Sequence, residues 1–322
     1  MGTHVVKQLL DGGAKNLRVL TTASAPAWLE QSGVEIVRGS IMSLEDVTRA
    51  VDGVRNIYHL AGRVSRNGDD AHEMYELHVN GTRVLCDAAR AAGVQSIVMA
   101  STSGTIAVSE TGDLVSDESS PTPLDIISRW PYYISKVYQE SVARERFHGD
   151  AQRLVIINPS LLLGPGDERL GSTKFVLDFI GRKINAVPTG GLSFVDVRDA
   201  ASAFIAAMDR GRHGERYLLG AANWSFAHLF GRLERLTRVS APRIKLPSSL
   251  AIKGSQVIHA LYRHWNMAPP IEPSEIEMAE HFWYLDSSKA EKELDFKPRD
   301  PAETLHDTIT YIRANFLGND SF

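Results

Sequence analysis

Hydrophobic and polar positions follow two alternating patterns over residues 1–220. One pattern repeats with helical spacing and usually stops at a glycine, whereas the other consists of short apolar runs typical of buried strands. The helical segments are 1–10, 44–51 and 82–92, and the strand segments are 17–21, 34–37, 56–60, 97–100, 154–159 and 216–219. Strands that alternate with helices predict an α/β protein with a doubly wound parallel sheet, although this chain begins on a helix.

The pattern changes after residue 220, where helical segments are separated by prolines. We therefore predict two domains. They are a sheet domain of residues 1–164 plus 191–220 and a smaller, mostly helical lobe of residues 165–190 plus 221–322. Within the lobe, the stretch 250–265 is amphipathic but poor in basic residues, which favours core or pocket lining over contact with a membrane surface.

Composition argues against several classes of function. The net charge of −4 gives no basic surface for nucleic acid, and the 11 histidines lack metal-ligand spacing. No apolar run reaches the ~18 residues that cross a bilayer, and no signal peptide opens the chain. The one cysteine, Cys86, lies in an apolar helical pattern, so we interpret it as a core residue in a reducing compartment. We expect a cytoplasmic protein without a metal site, a nucleic-acid partner or a membrane span.

Tyr132 and Lys136 form a candidate pair for acid–base chemistry. Pro131 suits the first position of a helix, where its missing N–H costs nothing, and residues four apart share a helix face. A nearby ammonium lowers the pKa of a phenol, and a decrease of roughly three units from ~10 requires about 4 kcal/mol. The spacing alone is weak evidence, since average composition gives such a pair by chance in about one chain of this length in two. A surface helix with an incidental pair explains it equally well.

Small hydroxyl side chains follow the buried strand at 97–100. Ser101, Thr102, Ser103 and Thr105 would lie at the carboxyl end of that strand, which is the edge at which open α/β sheets bind ligands. A hydroxyl at this position either contacts a ligand or caps the junction between strand and loop.

Several short motifs occur in a fixed order along the chain. They are Gly2-Thr3-His4-Val5-Val6, His59-Leu60-Ala61-Gly62, Val79-Asn80-Gly81-Thr82, Tyr132 with Lys136, Asn158-Pro159-Ser160, Gly164-Pro165-Gly166-Asp167, Phe194-Val195-Asp196-Val197-Arg198-Asp199 and Ser287-Ser288-Lys289-Ala290. Together they resemble the extended short-chain dehydrogenase/reductase family, also called NAD-dependent epimerases/dehydratases, and most closely its dihydroflavonol-reductase-like branch. The resemblance covers nearly the whole chain. It implies a Rossmann-like first domain that binds a dinucleotide and a lobe that binds the substrate.

The resemblance also implies catalytic roles. Tyr132 would be the general acid and base at a carbonyl oxygen, and Lys136 would lower the pKa of Tyr132 and bind the nicotinamide ribose. Thr102 would donate a hydrogen bond to the substrate oxygen, although a shift of one residue in the alignment would select Ser103 instead.

For the cofactor, the resemblance implies NAD or NADP and a set of contacts at the strand ends. The residues are Gly2, Thr22, Ser40, Ile41, Leu60, Ala61, Gly62, Pro159 and Ser160. The choice between NAD and NADP stays open, because Thr21-Thr22 stands where family members often place an acid or an arginine.

The start of the chain departs most from the family pattern. Of the three spaced glycines that hold the pyrophosphate, only Gly2 is present, and the strand before them is missing. The two strands that would flank it would have unpaired edges, so we expect the true start to lie upstream of Met1. A smaller departure is His78, which replaces an asparagine of the family.

The first functional hypothesis is that the protein is an NAD(P)-dependent oxidoreductase that acts on a ketone or secondary alcohol. A nucleotide-sugar epimerase/dehydratase with the same triad is the alternative within enzymes, and a non-catalytic dinucleotide-binding protein is the alternative outside them. The expected partner is a small-molecule substrate, whose identity the motifs do not indicate. The resemblance is also compatible with a homodimer formed through the helices at 82–92 and 131–147.

Overall fold

The computed structural model describes residues 1–149, 152–244 and 272–318, together with residues 253, 254, 262 and 265. The amphipathic stretch expected at 250–265 therefore lies almost wholly outside the described residues.

Helices and strands alternate through the first part of the chain. They are α1 (Gly2–Asp11), β1 (Arg18–Thr21), α2 (Ala27–Glu30), β2 (Glu35–Arg38), α3 (Leu44–Val51), β3 (Asn56–His59), α4 (Ala71–Tyr75), α5 (Gly81–Ala91), β4 (Ser96–Ala100), α6 (Leu124–Ile127), α7 (Pro131–Arg146) and β5 (Arg153–Pro159). A π-helical turn covers Glu76–Asn80, and a 3-10 turn covers Ser103–Thr105. The elements predicted from sequence agree with these within one or two residues at each end.

The second part of the chain mixes both kinds of element. They are β6 (Leu161–Leu163), α8 (Lys174–Ile180), β7 (Gly191–Asp196), α9 (Val197–Arg210), β8 (Arg216–Leu219), β9 (Ala222–Ser225), α10 (Phe226–Thr237), α11 (Pro273–Ala279), β10 (Phe282–Trp283), α12 (Ser288–Leu294) and α13 (Pro301–Phe316).

Four parallel strands form the central sheet, in the order β3-β4-β5-β8. Alternate residues of these strands point to opposite faces, as the period of a strand requires. Val98 and Val155 pack in a core with α1, α9 and α12, whereas Ile97 and Ile156 pack in a core with α3, α5 and α7. Helices therefore cover both faces, and the predicted Rossmann-like α/β architecture is confirmed.

β1 and β2 form a separate parallel sheet. In the described residues β1 pairs only with β2 and β3 pairs only with β4, so the parallel strands of this region are divided between two sheets. The smaller sheet is joined to the rest through α3, which packs against β1, β2 and α5.

A third sheet belongs to the second part of the chain. Its order is β10-β7-β6, and β9 pairs antiparallel with β7. Leu192 and Phe194 of β7 pack in a core with α8, α10 and α13, whereas Val195 faces the core of the central sheet. The predicted domain boundaries therefore divide this sheet, because they assign β6 and β7 to the first domain and β9 and β10 to the lobe. β7 is buried on both faces, and its sequence pattern is typical of a central strand. By contrast, α9 and β8 return to the central sheet as predicted.

An ion-pair network connects the end of β7 with the C-terminal helix. Asp196, which is fully buried, pairs with Arg198, and Arg198 also pairs with Asp307 of α13 at 2.7 Å. Arg299, just before α13, forms a second link to Asp199 at 2.7 Å. These charged groups are satisfied by several partners, which is the condition for keeping a carboxylate away from water.

Cys86 lies in the core between the central sheet and α5, as predicted. Burial raises the pKa of its thiol to about 12, so the group stays protonated and behaves as a small apolar side chain.

Gly190 offers a test of how the third sheet is packed. A Cβ on Gly190 would lie 2.5 Å from the carbonyl oxygen of Ala279 and would also overlap that of His281, and neither backbone atom can move aside cheaply. We expect Gly190→Ala to destabilise the protein by about 1–3 kcal/mol, measured from urea unfolding midpoints. Gly231→Ala in α10 is the matched control, because a Cβ there has nothing within 4 Å, and it should stabilise the protein by roughly 0.5–1 kcal/mol. Equal midpoints for the two variants would contradict this packing.

Candidate active site

The candidate site lies where β4 and β5 end and α7 begins. β4 ends at Ala100, and the following turn contains the small hydroxyl residues. Trp130 is extended at the N-cap of α7, and Pro131 occupies the first turn, so the helix starts one residue before Tyr132 as predicted. The carboxyl edge of the sheet and the first turn of α7 thus face each other.

Thr102 and Tyr132 lie near each other across this gap. The phenol is enclosed by neighbouring rings, with His78 at 5.9 Å and Tyr133 at 5.0 Å between ring centroids. Burial raises the pKa of Tyr132, while its side-chain interaction with Thr102 and the charge of Arg66 act to lower it. The net shift is upward, opposite to the shift expected from a close Lys136, and the phenol is protonated at neutral pH.

Lys136 is buried on the same face of α7. Its Nζ donates hydrogen bonds to the carbonyl oxygen of Ala100 at 2.7 Å and to Oε1 of Gln139. Burial lowers the pKa of Lys136 to about 7, and the charge of Glu140 opposes that decrease. No hydrogen bond joins Nζ to the Tyr132 phenol in the described part of the chain. An ammonium has three protons, so one remains for a ligand.

The two candidate hydroxyls differ in their surroundings. Thr102 is half-buried, and its Oγ1 accepts a hydrogen bond from the Gly104 N–H at 3.4 Å, which leaves its own proton free to donate. Ser103 is buried and belongs to the 3-10 turn. The interaction with Tyr132 therefore favours Thr102 as the hydroxyl member.

His78 connects the π-helical turn to α7. Its Nε2 accepts a hydrogen bond from the Arg63 N–H at 3.1 Å, which assigns the proton to Nδ1. Nδ1 then donates to Ser135 Oγ at 2.8 Å, and Ser135 Oγ donates to the carbonyl oxygen of Tyr132 at 2.7 Å. Burial, followed by the charge of Lys136, lowers the pKa of His78 to about 3, so the ring is neutral. The histidine that departs from the family pattern thus orients the turn that bears Tyr132.

Arg66 is a residue of the site that the sequence did not indicate. It lies in the loop after β3, where its carbonyl oxygen accepts a hydrogen bond from Ser274 Oγ at 2.9 Å and its guanidinium pairs with Glu275 at 3.4 Å. Its charge acts on both Tyr132 and Tyr133. The loop therefore joins α11 of the second lobe at the candidate site, and only the folded chain brings these distant segments together.

An aromatic cluster borders the site on the lobe side. Trp130 and Trp283 stack at 5.6 Å between ring centroids, and Tyr133 contacts Trp283 at 5.0 Å. Gly104 makes room for this arrangement, because a Cβ there would overlap the Tyr133 ring. The cluster gives the site a largely apolar wall beside Tyr132.

Most of the predicted cofactor residues lie at this same edge. Gly2 begins α1, and a Cβ on it would lie 3.9 Å from Leu60, at the end of β3. Ala61 and Gly62 follow in the exposed loop. Pro159 and Ser160 are buried at the end of β5, and Ser160 Oγ has no hydrogen-bond partner in the described residues. A buried hydroxyl without a partner fits a ligand group at this position.

The other predicted cofactor residues lie on the separate β1–β2 sheet. Thr22 follows β1 and is exposed. Ser40 follows β2, and its N–H donates to Asp46 at 3.0 Å. The Ile41 side chain is buried in the core with α3 and α5, so only its backbone could face a ligand. These residues stand at the carboxyl ends of their strands, as an adenosine-binding position requires.

The part of the chain that the structure describes lacks two other kinds of feature. It contains no group of three or more histidine, cysteine or acidic side chains suited to hold a metal ion. Among the same residues, no helix is long and apolar enough to cross a membrane.

The chain is similar to known proteins over nearly its whole length. It is 27% identical to the "Putative dihydroflavonol 4-reductase" of Synechocystis sp. over 97% of this chain and 92% of that protein. It is 28% identical to "Sterol demethylase protein B" of Methylococcus capsulatus over 97% of this chain and 95% of that protein. Coverage of this extent gives no support to the expectation that the chain begins downstream of its true start.

A solved structure shows the same architecture. The crystal structure of gox2253 aligns with a TM-score of 0.82 and 27% identity, over 98% of this chain and 96% of that one. The model of the family described as "NAD dependent epimerase/dehydratase family" matches residues 1–220. The chain therefore belongs to the NAD-dependent epimerase/dehydratase family of extended short-chain dehydrogenases/reductases, enzymes that use a nicotinamide dinucleotide as cofactor.

Proposed function

We propose that this enzyme transfers a hydride between NAD(P) and a ketone or secondary alcohol, in the manner of dihydroflavonol reductases, with Tyr132 as general acid and base. The observation that supports this most directly is the nearness of the Thr102 hydroxyl to the Tyr132 phenol at the carboxyl edge of the central sheet, where the hydroxyl acts to lower the pKa of the phenol. Similarity over nearly the full length to a protein named as a dihydroflavonol 4-reductase supports a ketone as the group that reacts.

Tyr132 and Thr102 would both act on the substrate oxygen. The bound nicotinamide supplies the hydride to the carbon or accepts it in the reverse direction. Tyr132 is protonated at neutral pH and can donate its proton as negative charge develops on the carbonyl oxygen. Thr102 has a free hydroxyl proton, so it can donate a hydrogen bond to the same oxygen and stabilise that charge.

The cofactor would be held by residues on both sides of this pair. Lys136 has an ammonium proton left for a ribose hydroxyl, and Ser160 has a buried hydroxyl available for a polar group of the nicotinamide. Ala61 and Gly62 lack side chains that would keep a ribose away from the end of β3.

The substrate would lie against the lobe. The rings of Trp283 and Tyr133 offer an apolar surface, and Arg66 places a cation at the edge of the two phenols. An apolar wall with few polar groups is typical of pockets for small organic substrates. We therefore infer a substrate with an apolar or aromatic portion next to its carbonyl group.

Replacing Tyr132 tests the catalytic assignment. Tyr132→Phe keeps the ring and its packing but removes the proton donor, so we expect the rate of ketone reduction to fall by roughly 10²- to 10⁴-fold. The rate is measured with NADH and NADPH over a panel of ketones. Tyr138→Phe is the matched control, because Tyr138 is on the same helix, half exposed and remote from Thr102, and this variant should keep the wild-type rate.

Two results would contradict the proposal in different ways. Unchanged rates in Tyr132→Phe would remove the catalytic role of the phenol. A wild-type protein that retains a bound nicotinamide and causes no net turnover of added cofactor would instead indicate an epimerase.

A second pair of variants tests which hydroxyl acts on the substrate. Thr102→Val keeps the shape of the side chain and removes its donor, so we expect kcat to fall on the order of 10²-fold. Ser103→Ala should leave kcat within a few-fold of wild type. The reverse order of effects would assign the role to Ser103.

The pKa of Lys136 predicts how cofactor binding depends on pH. Burial lowers this pKa to about 7, so the ammonium is present below that pH and is lost as the pH rises through it. If the ammonium binds the ribose, the Kd for NADH should increase by roughly tenfold between pH 6.5 and 8.5, measured by fluorescence titration. Lys136→Met should bind weakly at every pH and show no such increase. A wild-type Kd that does not change over this range would refute the role.

A further inference from the structure

Glu140 is a buried carboxylate two helical turns after Tyr132, and the mechanism above does not use it. Only about 5% of its surface is exposed. Its Oε1 accepts hydrogen bonds from Ser101 Oγ, from Thr105 Oγ1 at 3.1 Å and from Asn158 Nδ2 at 2.8 Å. We call Glu140 with Ser101, Thr105 and Asn158 the Glu140 cluster. It joins α7 to the ends of β4 and β5.

The cluster encloses the segment that bears Thr102. Ser101 and Thr105 lie on either side of it along the chain, and both donate to Glu140. Asn158 Nδ2 also donates to the carbonyl oxygen of Thr102 at 3.0 Å, and Thr105 Oγ1 lies 3.0 Å from the same oxygen. The backbone of Thr102 is therefore fixed relative to α7, the helix that holds Tyr132.

The charge of Glu140 acts on Lys136 as well. The two residues are one helical turn apart on α7, and the negative charge opposes the loss of the ammonium that burial favours. Among the residues that the structure describes, His59 of β3 and His78 of the π-helical turn also face Lys136, and both are neutral because burial lowers each pKa to about 3. Glu140 is thus the anionic group acting on this buried cation.

Glu140 has an ion-pair partner, but the pair is long and does not involve the oxygen that accepts the three hydrogen bonds. Among the described residues, its nearest cationic atom is Nη1 of Arg216 on β8, 3.8 Å from Oε2. The charge of Glu140 also acts on Arg144, which lies one turn further along α7. All three hydrogen bonds fall on Oε1, on the side of Thr102. Burying a carboxylate costs free energy that a long ion pair offsets only in part. The position of Glu140 next to the active site therefore indicates a role in that site.

We propose that Glu140 is a positioning residue of the active site, which fixes the turn bearing Thr102 through one carboxylate oxygen and stabilises the Lys136 ammonium through its charge. This inference rests on the proposed function, because it assigns Glu140 to the same reaction.

Glu140→Gln separates charge from shape. The amide keeps an oxygen that can accept the three hydrogen bonds but removes the negative charge, so the fold and the Thr102 turn should persist. Loss of the charge lowers the pKa of Lys136 further. The pH at which NADH binding weakens should therefore fall by about one unit. At pH 7.5 the Kd for NADH should rise several-fold, and at pH 6 it should approach the wild-type value. Glu145→Gln is the matched control, since Glu145 is on the same helix and its side chain is exposed.

Ser101→Ala tests the positioning role independently of charge. It removes one donor to Oε1 and leaves the carboxylate in place, so kcat should fall several-fold while the pH dependence of NADH binding stays that of wild type. Glu140→Gln with an unmoved pH profile, or Ser101→Ala with an unchanged kcat, would overturn the proposal. The binding titration needs no turnover, so a protein that reduces no ketone would refute the proposed function and would still show whether Glu140 acts on Lys136.

Discussion

The burial of the Lys136 ammonium is the constraint on which the candidate site depends. A cation removed from water costs several kcal/mol unless its protons find acceptors and a compensating charge is near. Here the acceptors are the carbonyl oxygen of Ala100 and the side chain of Gln139, and the compensating charge is Glu140. These contacts require α7 to lie directly against the end of β4. Because Tyr132 is one turn earlier on α7, the same contacts set the phenol beside the Thr102 turn.

Burial, followed by the charge of the same cation, keeps the neighbouring histidines neutral. Gln139 uses its amide group to connect Lys136 with Thr82 and with His59, which is buried in the same layer. A protonated imidazole there would add a second buried positive charge next to Lys136, so burial and repulsion both lower the pKa of His59. The polar layer beneath the site therefore contains an ammonium and a carboxylate, connected through neutral donors and acceptors.

Local patterns predicted much of the fold and part of the site. Strand and helix periods located the elements of the central sheet, and the i, i+4 spacing placed Tyr132 and Lys136 on one helix face. That spacing could not show that Nζ of Lys136 would donate to the carbonyl oxygen of Ala100 on β4, and in this geometry the pKa of Tyr132 is raised rather than lowered. Glu140 and Arg66 were missed for a related reason. Their partners come from distant parts of the chain, and charge at a single position gives no periodic signal. The roles of the predicted site residues stay predictions.

The contact between Arg66 and α11 has a consequence for the order of events at the site. It links the loop that bears Ala61 and Gly62, which are predicted to face the cofactor ribose, to the lobe that would bind the substrate, through one hydrogen bond and one half-exposed ion pair at 3.4 Å. Ion pairs of this kind contribute at most about 1 kcal/mol, so thermal motion breaks and reforms them readily. Breaking it would release the loop from α11, whereas α11 would stay attached to the start of α7 because Glu277 accepts hydrogen bonds from Arg129 and Trp130. The loop could therefore move without the lobe.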